Sequence, residues 1–182
     1  PFTSAAEMLC AIRYVVCQTD TALRQEATRQ GNNTVIATTL VCLVIRNGYF
    51  ACVWAGDSRV YLYRNAVLQQ ITHDHSLVQE LVDAGQIEPE NAETHPHANI
   101  ITRAIGAGED ALRLDKVIGH LHPGDSFLLC SDGITKTLNT AEIQATLSVL
   151  PEIDPASMLV NAALAHNATD NVTAVVVTTS PE

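Results

Sequence analysis

Paired cysteines, aromatic side chains, long apolar runs and basic residues are all scarce in this chain, and each shortage closes off a class of function. The five cysteines (Cys10, Cys17, Cys42, Cys52 and Cys130) are odd in number, form no CxxC pair and lie in or beside apolar runs. That pattern suits neither a disulfide framework nor a thiolate zinc site, and reads as small core residues in a reducing cytoplasm. Aromatic residues make up 4% of the sequence, with Trp54 the single tryptophan, too few for platforms that stack nucleic-acid bases. No apolar stretch approaches membrane-spanning length and no secretory leader is visible, so membrane insertion is not expected. Residues 65–182 carry sixteen acids against four basic residues, within a formal net charge of −10 for the chain. Such a half repels nucleic-acid phosphates and suits divalent cations. P-loop, GxGxxG, GxSxG and HExxH patterns are all missing. The sequence opens at Pro1 rather than Met, which reads as a processed or truncated start.

What is present is enough for a packed domain: 182 residues, 47% of them hydrophobic, read as one unit spanning 1–182. Helical spacing runs over 3–30 until Gly31-Asn32-Asn33 breaks it. Strand-like runs follow at 38–45, 49–55, 59–64 and 67–71, with Asn47-Gly48 a strong hairpin signal, and together they read as an antiparallel meander. Residues 73–85 return to helical period, with Asp74 or Ser76 as the cap. A polar stretch at 86–98 reads as a surface excursion, followed by strands at 99–104, 112–120 and 126–130. Asn139 to Glu142 has the form of a capping box, Asp154-Pro155 opens a helix running to about His166, and a last strand spans 172–178. The class is α+β with antiparallel sheets.

The chemistry concentrates in three acidic segments. Asp132, in Ser131-Asp132-Gly133, leaves the apolar run 127–130 directly; Asp170-Asn171 opens the run 172–177; and Asp57 lies in Gly56-Asp57-Ser58-Arg59. A carboxylate at the end of a buried strand is costly without a compensating cation. Three of them point to a shared hard ion, and the small neighbours leave room for its waters and for a phosphate. The plainer reading makes each Asp a turn cap. His73/His75, His95/His97 and His120/His122 form HxH pairs that a zinc hydrolase could use, but without HExxH or HxHxDH. His95 reads as part of a substrate-facing loop, or simply as surface.

Six segments, in order, resemble the metal-dependent protein serine/threonine phosphatases of the PP2C (PPM) family, bacterial branch. They are Ala37-Thr38-Thr39-Leu40, Gly56-Asp57-Ser58-Arg59-Val60-Tyr61-Leu62, Ile71-Thr72-His73-Asp74-His75-Ser76, Ile101-Thr102-Arg103-Ala104-Ile105-Gly106, the stretch 123–133 ending in Ser131-Asp132-Gly133, and Asp170-Asn171-Val172-Thr173. The resemblance implies two antiparallel β-sheets packed as a sandwich with helices outside, in αββα layers. It also implies a cytoplasmic signalling hydrolase that removes phosphate from phosphoserine and phosphothreonine in proteins, plausible targets of a partner Ser/Thr kinase. Its cofactors would be two Mn²⁺ or Mg²⁺ ions, with a third described for bacterial members. Asp132 and Asp170 would bind the first ion, Asp57 with Asp132 the additional one, and residues 77–98 would form the variable flap. The family's N-terminal strands and DGxGG turn have no counterpart here, so the resemblance implies an N-terminally incomplete phosphatase domain. A catalytically incomplete binding or regulatory module is the alternative.

Overall fold

The computed structural model describes residues 4–108, 110–149 and 154–180. Helix α1 (Ala5–Gln30) starts where the Ser4 Oγ accepts the Glu7 N–H at 3.2 Å, and ends at Gly31, whose φ is 68°. The strands are β1 (Leu40–Arg46), β2 (Tyr49–Ala55), β3 (Arg59–Arg64), β4 (Val67–Gln70), β5 (Asp115–His120), β6 (Ser126–Cys130) and β7 (Ala174–Thr178). Helix α2 (Leu77–Asp83) follows β4; α3 (Asp132–Thr135), α4 (Thr140–Leu147) and α5 (Pro155–Ala165) lie between β6 and β7. All strand pairs are antiparallel and form two sheets, ordered β1-β2-β5 and β4-β3-β6-β7.

Side chains alternate along a strand, and here both faces of the central strands are covered. Phe50, Cys52 and Trp54 of β2 point inward against Val60, Leu62 and Phe127 of the other sheet. Their neighbours Val53 and Ala55 instead pack with Val16, Ile105 and Leu114 beneath α1. On the far side, Tyr61, Leu128 and Cys130 pack against Ile134, Ile143, Leu147 and Leu159 of the C-terminal helices. The layers are therefore helix, sheet, sheet, helix, as the resemblance implies. Double coverage is why β2 reads as an unbroken apolar run although its sheet is antiparallel.

Three expectations need correction. The runs 38–71 are not one meander: β1–β2 and β3–β4 are hairpins in different sheets, and Gly56-Asp57-Ser58 carries the chain across. Residues 99–104 form no strand: Ile101 makes a single bridge to Ser76, and Ile105, just beyond, a single bridge to Thr38. Their backbone bonds go to two different segments (Thr102 N–H to His75 O, Ile105 N–H to Thr38 O, both 2.9 Å), so no ladder can propagate. Cys10 and Cys17 are exposed on α1 rather than core residues, whereas Cys52 and Cys130 are buried.

The hairpin and helix signals fare better. Asn47-Gly48 and Asn65-Ala66 both hold positive φ at two successive turn residues. Asn139 and Glu142 exchange both bonds of a capping box, and Ser76 rather than Asp74 caps α2. Among the described residues no helix is long and apolar enough to cross a membrane.

Candidate functional site

Three strand ends meet at one rim of the sandwich. Arg59, opening β3, pairs with Cys130, closing β6, and Cys130 pairs with Ala174, opening β7. The segments just beyond these ends carry Asp57, Asp132 and Asp170, and all three residues line one cavity with Asn99, Lys136 and Thr169. A narrower cleft shares Asp57, Asp132 and Lys136 and adds Arg59, Asp74 and Glu93. Asp57 and Asp132 are half-buried and Asp170 is exposed.

Asp132 and Asp170 share a mount. The Ser131 hydroxyl donates to Asn171 O and accepts the Thr173 N–H, both at 3.0 Å, while the Ser131 N–H donates to Thr173 O at 3.1 Å. On the other flank, a Cβ at Gly133 would stand 2.4 Å from Asn171 O, so only glycine lets the two backbones approach. Ser131 and Gly133 thus bind the Asp132 segment to the Asp170 segment from both sides, which accounts for the residue types around each Asp.

Asp57 sits on the crossing turn, which is held separately. Gly56 has φ 114°, and a Cβ there would lie 2.4 Å from the Thr39 Cγ2. The Thr39 and Ser58 hydroxyls are 3.0 Å apart. The Gly56 N–H donates to His75 Nδ1 at 3.1 Å, and the His75 N–H returns a bond to Gly56 O at 3.0 Å. Next to the turn, Arg59 Nε donates to both Asp74 oxygens at 3.0 and 2.8 Å, and its Nη2 lies 3.1 Å from Glu93 Oε1. Glu93 belongs to the 86–98 excursion, so this pair ties the excursion to the rim.

The electrostatics of the cavity are unbalanced. Burial, then the like charge of Asp132, pushes the Asp57 carboxyl above its ordinary range. No cation lies within ion-pair distance of Asp57 among the described residues. Lys136 Nζ is 2.6 Å from Asp132 Oδ2 and 2.7 Å from Asn99 Oδ1. Burial works against the Lys136 charge, but Asp132 outweighs it and raises the ammonium pKa.

Among the described residues no three acidic, histidine or cysteine side chains stand close enough together to hold an ion by themselves. The three aspartates are neighbours round a cavity rather than a closed cage. That arrangement suits Mg²⁺ or Mn²⁺, which take carboxylate oxygens and keep several waters. It does not suit Zn²⁺, which wants a tight nitrogen or sulfur set. The undercompensated Asp57 is the feature in the fold that a divalent cation would relieve.

The histidine pairs do not act as pairs. His75 is buried behind Asp57, whereas His73 is exposed and its Nε2 lies 2.7 Å from Asp83 Oδ2. His95 lines neither cavity; its Nδ1 accepts the His97 N–H at 3.2 Å. His120 packs against Tyr49 with ring centroids 4.5 Å apart and the planes tilted by 39°. Burial pushes the Cys52 and Cys130 thiols up to about 12, which leaves neither as a nucleophile. Sequence reasoning missed Lys136, Arg103 and Asp115. Arg103 lies inside one of the six family-like segments without a role; Lys136 stands four residues after Asp132, a helical spacing that could have flagged it, whereas Asp115 carried no local signal.

Known proteins give the same outline. The family model described as protein phosphatase 2C matches residues 4–168. Protein phosphatase PhpP of Streptococcus pneumoniae is 40% identical over 148 residues, covering 81% of this chain and 60% of PhpP. The structure of PppA from Pseudomonas aeruginosa superposes with a TM-score of 0.86 at 41% identity, covering 96% of this chain and 71% of that one. The catalytic domain of the serine/threonine phosphatase PstP, solved in complex with two manganese ions, gives 0.80 at 29% identity, covering 99% and 74%. The chain spans 56% to 60% of the length of the curated Listeria and Streptococcus relatives it matches.

Proposed function

This chain belongs to the protein phosphatase 2C family, and from that premise we propose that it hydrolyses phosphoserine and phosphothreonine in proteins with Mn²⁺ or Mg²⁺ as cofactor. The observation that carries the proposal is the rim cavity that Asp57, Asp132 and Asp170 line together. Asp132 and Asp170 would hold one ion, and Asp57 with Asp132 another. The two manganese ions in the PstP structure support the choice of cofactor. A bound divalent ion supplies a water of lowered pKa and neutralises charge that develops on the phosphoryl oxygens.

The chain's own residues prepare the site for that. Asp132, on the wall of the cavity, is held there by Lys136, whose Nζ lies 2.6 Å from Oδ2. Asp57 is held desolvated next to it, so cation entry relieves a repulsion already built into the fold. Gly133 and Ser58 keep bulk away from the carboxylates. The Arg59–Glu93 contact ties the middle of the excursion to the cavity, and the Lys136–Asn99 contact ties the residue just past its end.

Residues 1–182 are read as one phosphatase domain with 77–98 as its substrate-selecting flap, in which His95 is a candidate contact. Its partners would be phosphorylated proteins, targets of a Ser/Thr kinase, in the cytoplasm. The test is Asp132→Asn, assayed for Mn²⁺-dependent phosphopeptide hydrolysis and for Mn²⁺ binding by titration calorimetry. Loss of both is expected; wild-type turnover or an unchanged isotherm would overturn the reading.

A further inference from the structure

On the reading of Asp57 as a metal ligand, we infer that Asp115 is a positioning residue: it sets the tautomer of His75, and His75 in turn holds the turn that carries Asp57. A backbone N–H can only donate, so the Gly56 N–H at 3.1 Å requires an unprotonated Nδ1 on His75. A neutral ring then carries its proton on Nε2. That nitrogen is 3.1 Å from Asp115 Oδ2, a carboxylate able to accept it. The ring cannot turn away: it is 6% exposed and stacks on Trp54 with centroids 6.2 Å apart at 16°. Trp54 is itself held by an Nε1–H bond to His73 O at 2.8 Å.

The same nitrogen has a second neighbour, and this makes the carboxylate necessary. Arg103 Nη1 lies 3.0 Å from His75 Nε2 and 2.9 Å from Asp115 Oδ1. A guanidinium has no acceptor, so with the ring proton on Nε2 the Arg103 Nη1 hydrogen bond goes to Asp115 and not to the ring. Without Asp115, Arg103 donates to Nε2, the proton moves to Nδ1, and two donors face each other at Gly56. The turn then loses the bond that fixes the amide directly before Asp57. Strand register places Asp115 for this role, since it pairs with Trp54 across β2 and β5. The Asp115 side chain is 45% exposed, so truncating it leaves no cavity in the core.

The experiment uses the chain with Mn²⁺ alone as the probe. Imidazole ¹⁵N NMR reads the His75 tautomer and titration calorimetry reads the ion. Wild type is expected to carry the proton on Nε2. Asp115→Ala is expected to move it to Nδ1 and to weaken the Asp57-dependent Mn²⁺ binding by about 10- to 100-fold. Asp115→Ala with Arg103→Ala, which removes the competing donor, is expected to return the proton to Nε2 and recover most of the affinity. A purely structural role for Asp115 would not produce that recovery. An Nδ1 proton in wild type, or a tautomer switch with unchanged Mn²⁺ affinity, overturns the inference. Asp57→Asn run in parallel separates the two levels. If it weakens binding while Asp115→Ala does not, only the positioning role falls; if it changes nothing, Asp57 is no ligand and both fall.

Discussion

The two ends of β3 and β6 each carry acidic groups, and the fold treats them in opposite ways. At one end Asp125 is 0% exposed, and Arg64 closes on it with Nε and Nη2 each 2.6 Å from a carboxylate oxygen. The His122 N–H adds a bond at 2.8 Å. Burial alone would raise the Asp125 carboxyl, but Arg64 and that amide hold it below its ordinary range. At the other end Asp57 is held above its ordinary range by burial and by Asp132, with no ion-pair partner among the described residues. A carboxylate that serves the architecture comes with its cation built in. A carboxylate left short of one is where an outside cation gains most.

Substitutions at the two ends should separate along that line. The largest effect is expected at the short-handed end, where Asp132→Asn should lower Mn²⁺-dependent phosphopeptide hydrolysis at least about 100-fold. Urea unfolding without metal should be little changed in that variant. At the compensated end the outcome should invert: Arg64→Met strands a fully buried carboxylate and should cost about 3 kcal/mol in urea unfolding. Its Mn²⁺ isotherm should match wild type; a weakened isotherm would break the contrast. Gly56→Ala is intermediate. Its Cβ meets the Thr39 side chain at 2.4 Å on a backbone of φ 114°, so about 2 kcal/mol of stability and part of the Mn²⁺ affinity should go together.

The smallest effect is also the most discriminating. Asp57 binds its proton more tightly folded than unfolded, so its contribution to stability falls as pH rises from the ordinary carboxylate range of about 4 through the raised value. Metal-free Asp57→Asn should therefore be slightly more stable than wild type at neutral pH, with the difference vanishing toward acid. Asp125 has the reverse sign: its contribution is present above about pH 4 and is lost as pH falls through its lowered value. Thermal melts across pH, without and with Mn²⁺, would check both slopes; a destabilised metal-free Asp57→Asn would contradict the account.

Much of this was legible in the sequence because the signals are local. The Asn139–Glu142 box lies within four residues and the Asn47-Gly48 turn within two, so no distant partner is needed to recognise either. Asp57, Asp132 and Asp170 stood out because each sits beside an apolar run that must end at a surface. The split of the strand series between two sheets left no such mark, since doubly covered strands are apolar on both faces and do not announce which sheet they join. The false strand at 99–104 arose because the apolar residues there and just beyond make only single bridges to two different segments, Ile101 to Ser76 and Ile105 to Thr38.

Residue order alone determined α1, α2, α4 and α5, the turns and which acids stand at strand ends, because caps, turn conformations and side-chain alternation act over a few neighbouring residues. Only the packed sheets decided that Arg64 neutralises Asp125, that Lys136 reaches Asn99 and that Asp115 meets His75. Two of those pairs join residues 61 and 40 positions apart. Charge compensation works over a few ångströms of space, so strand register rather than sequence distance chooses which charge goes without a partner.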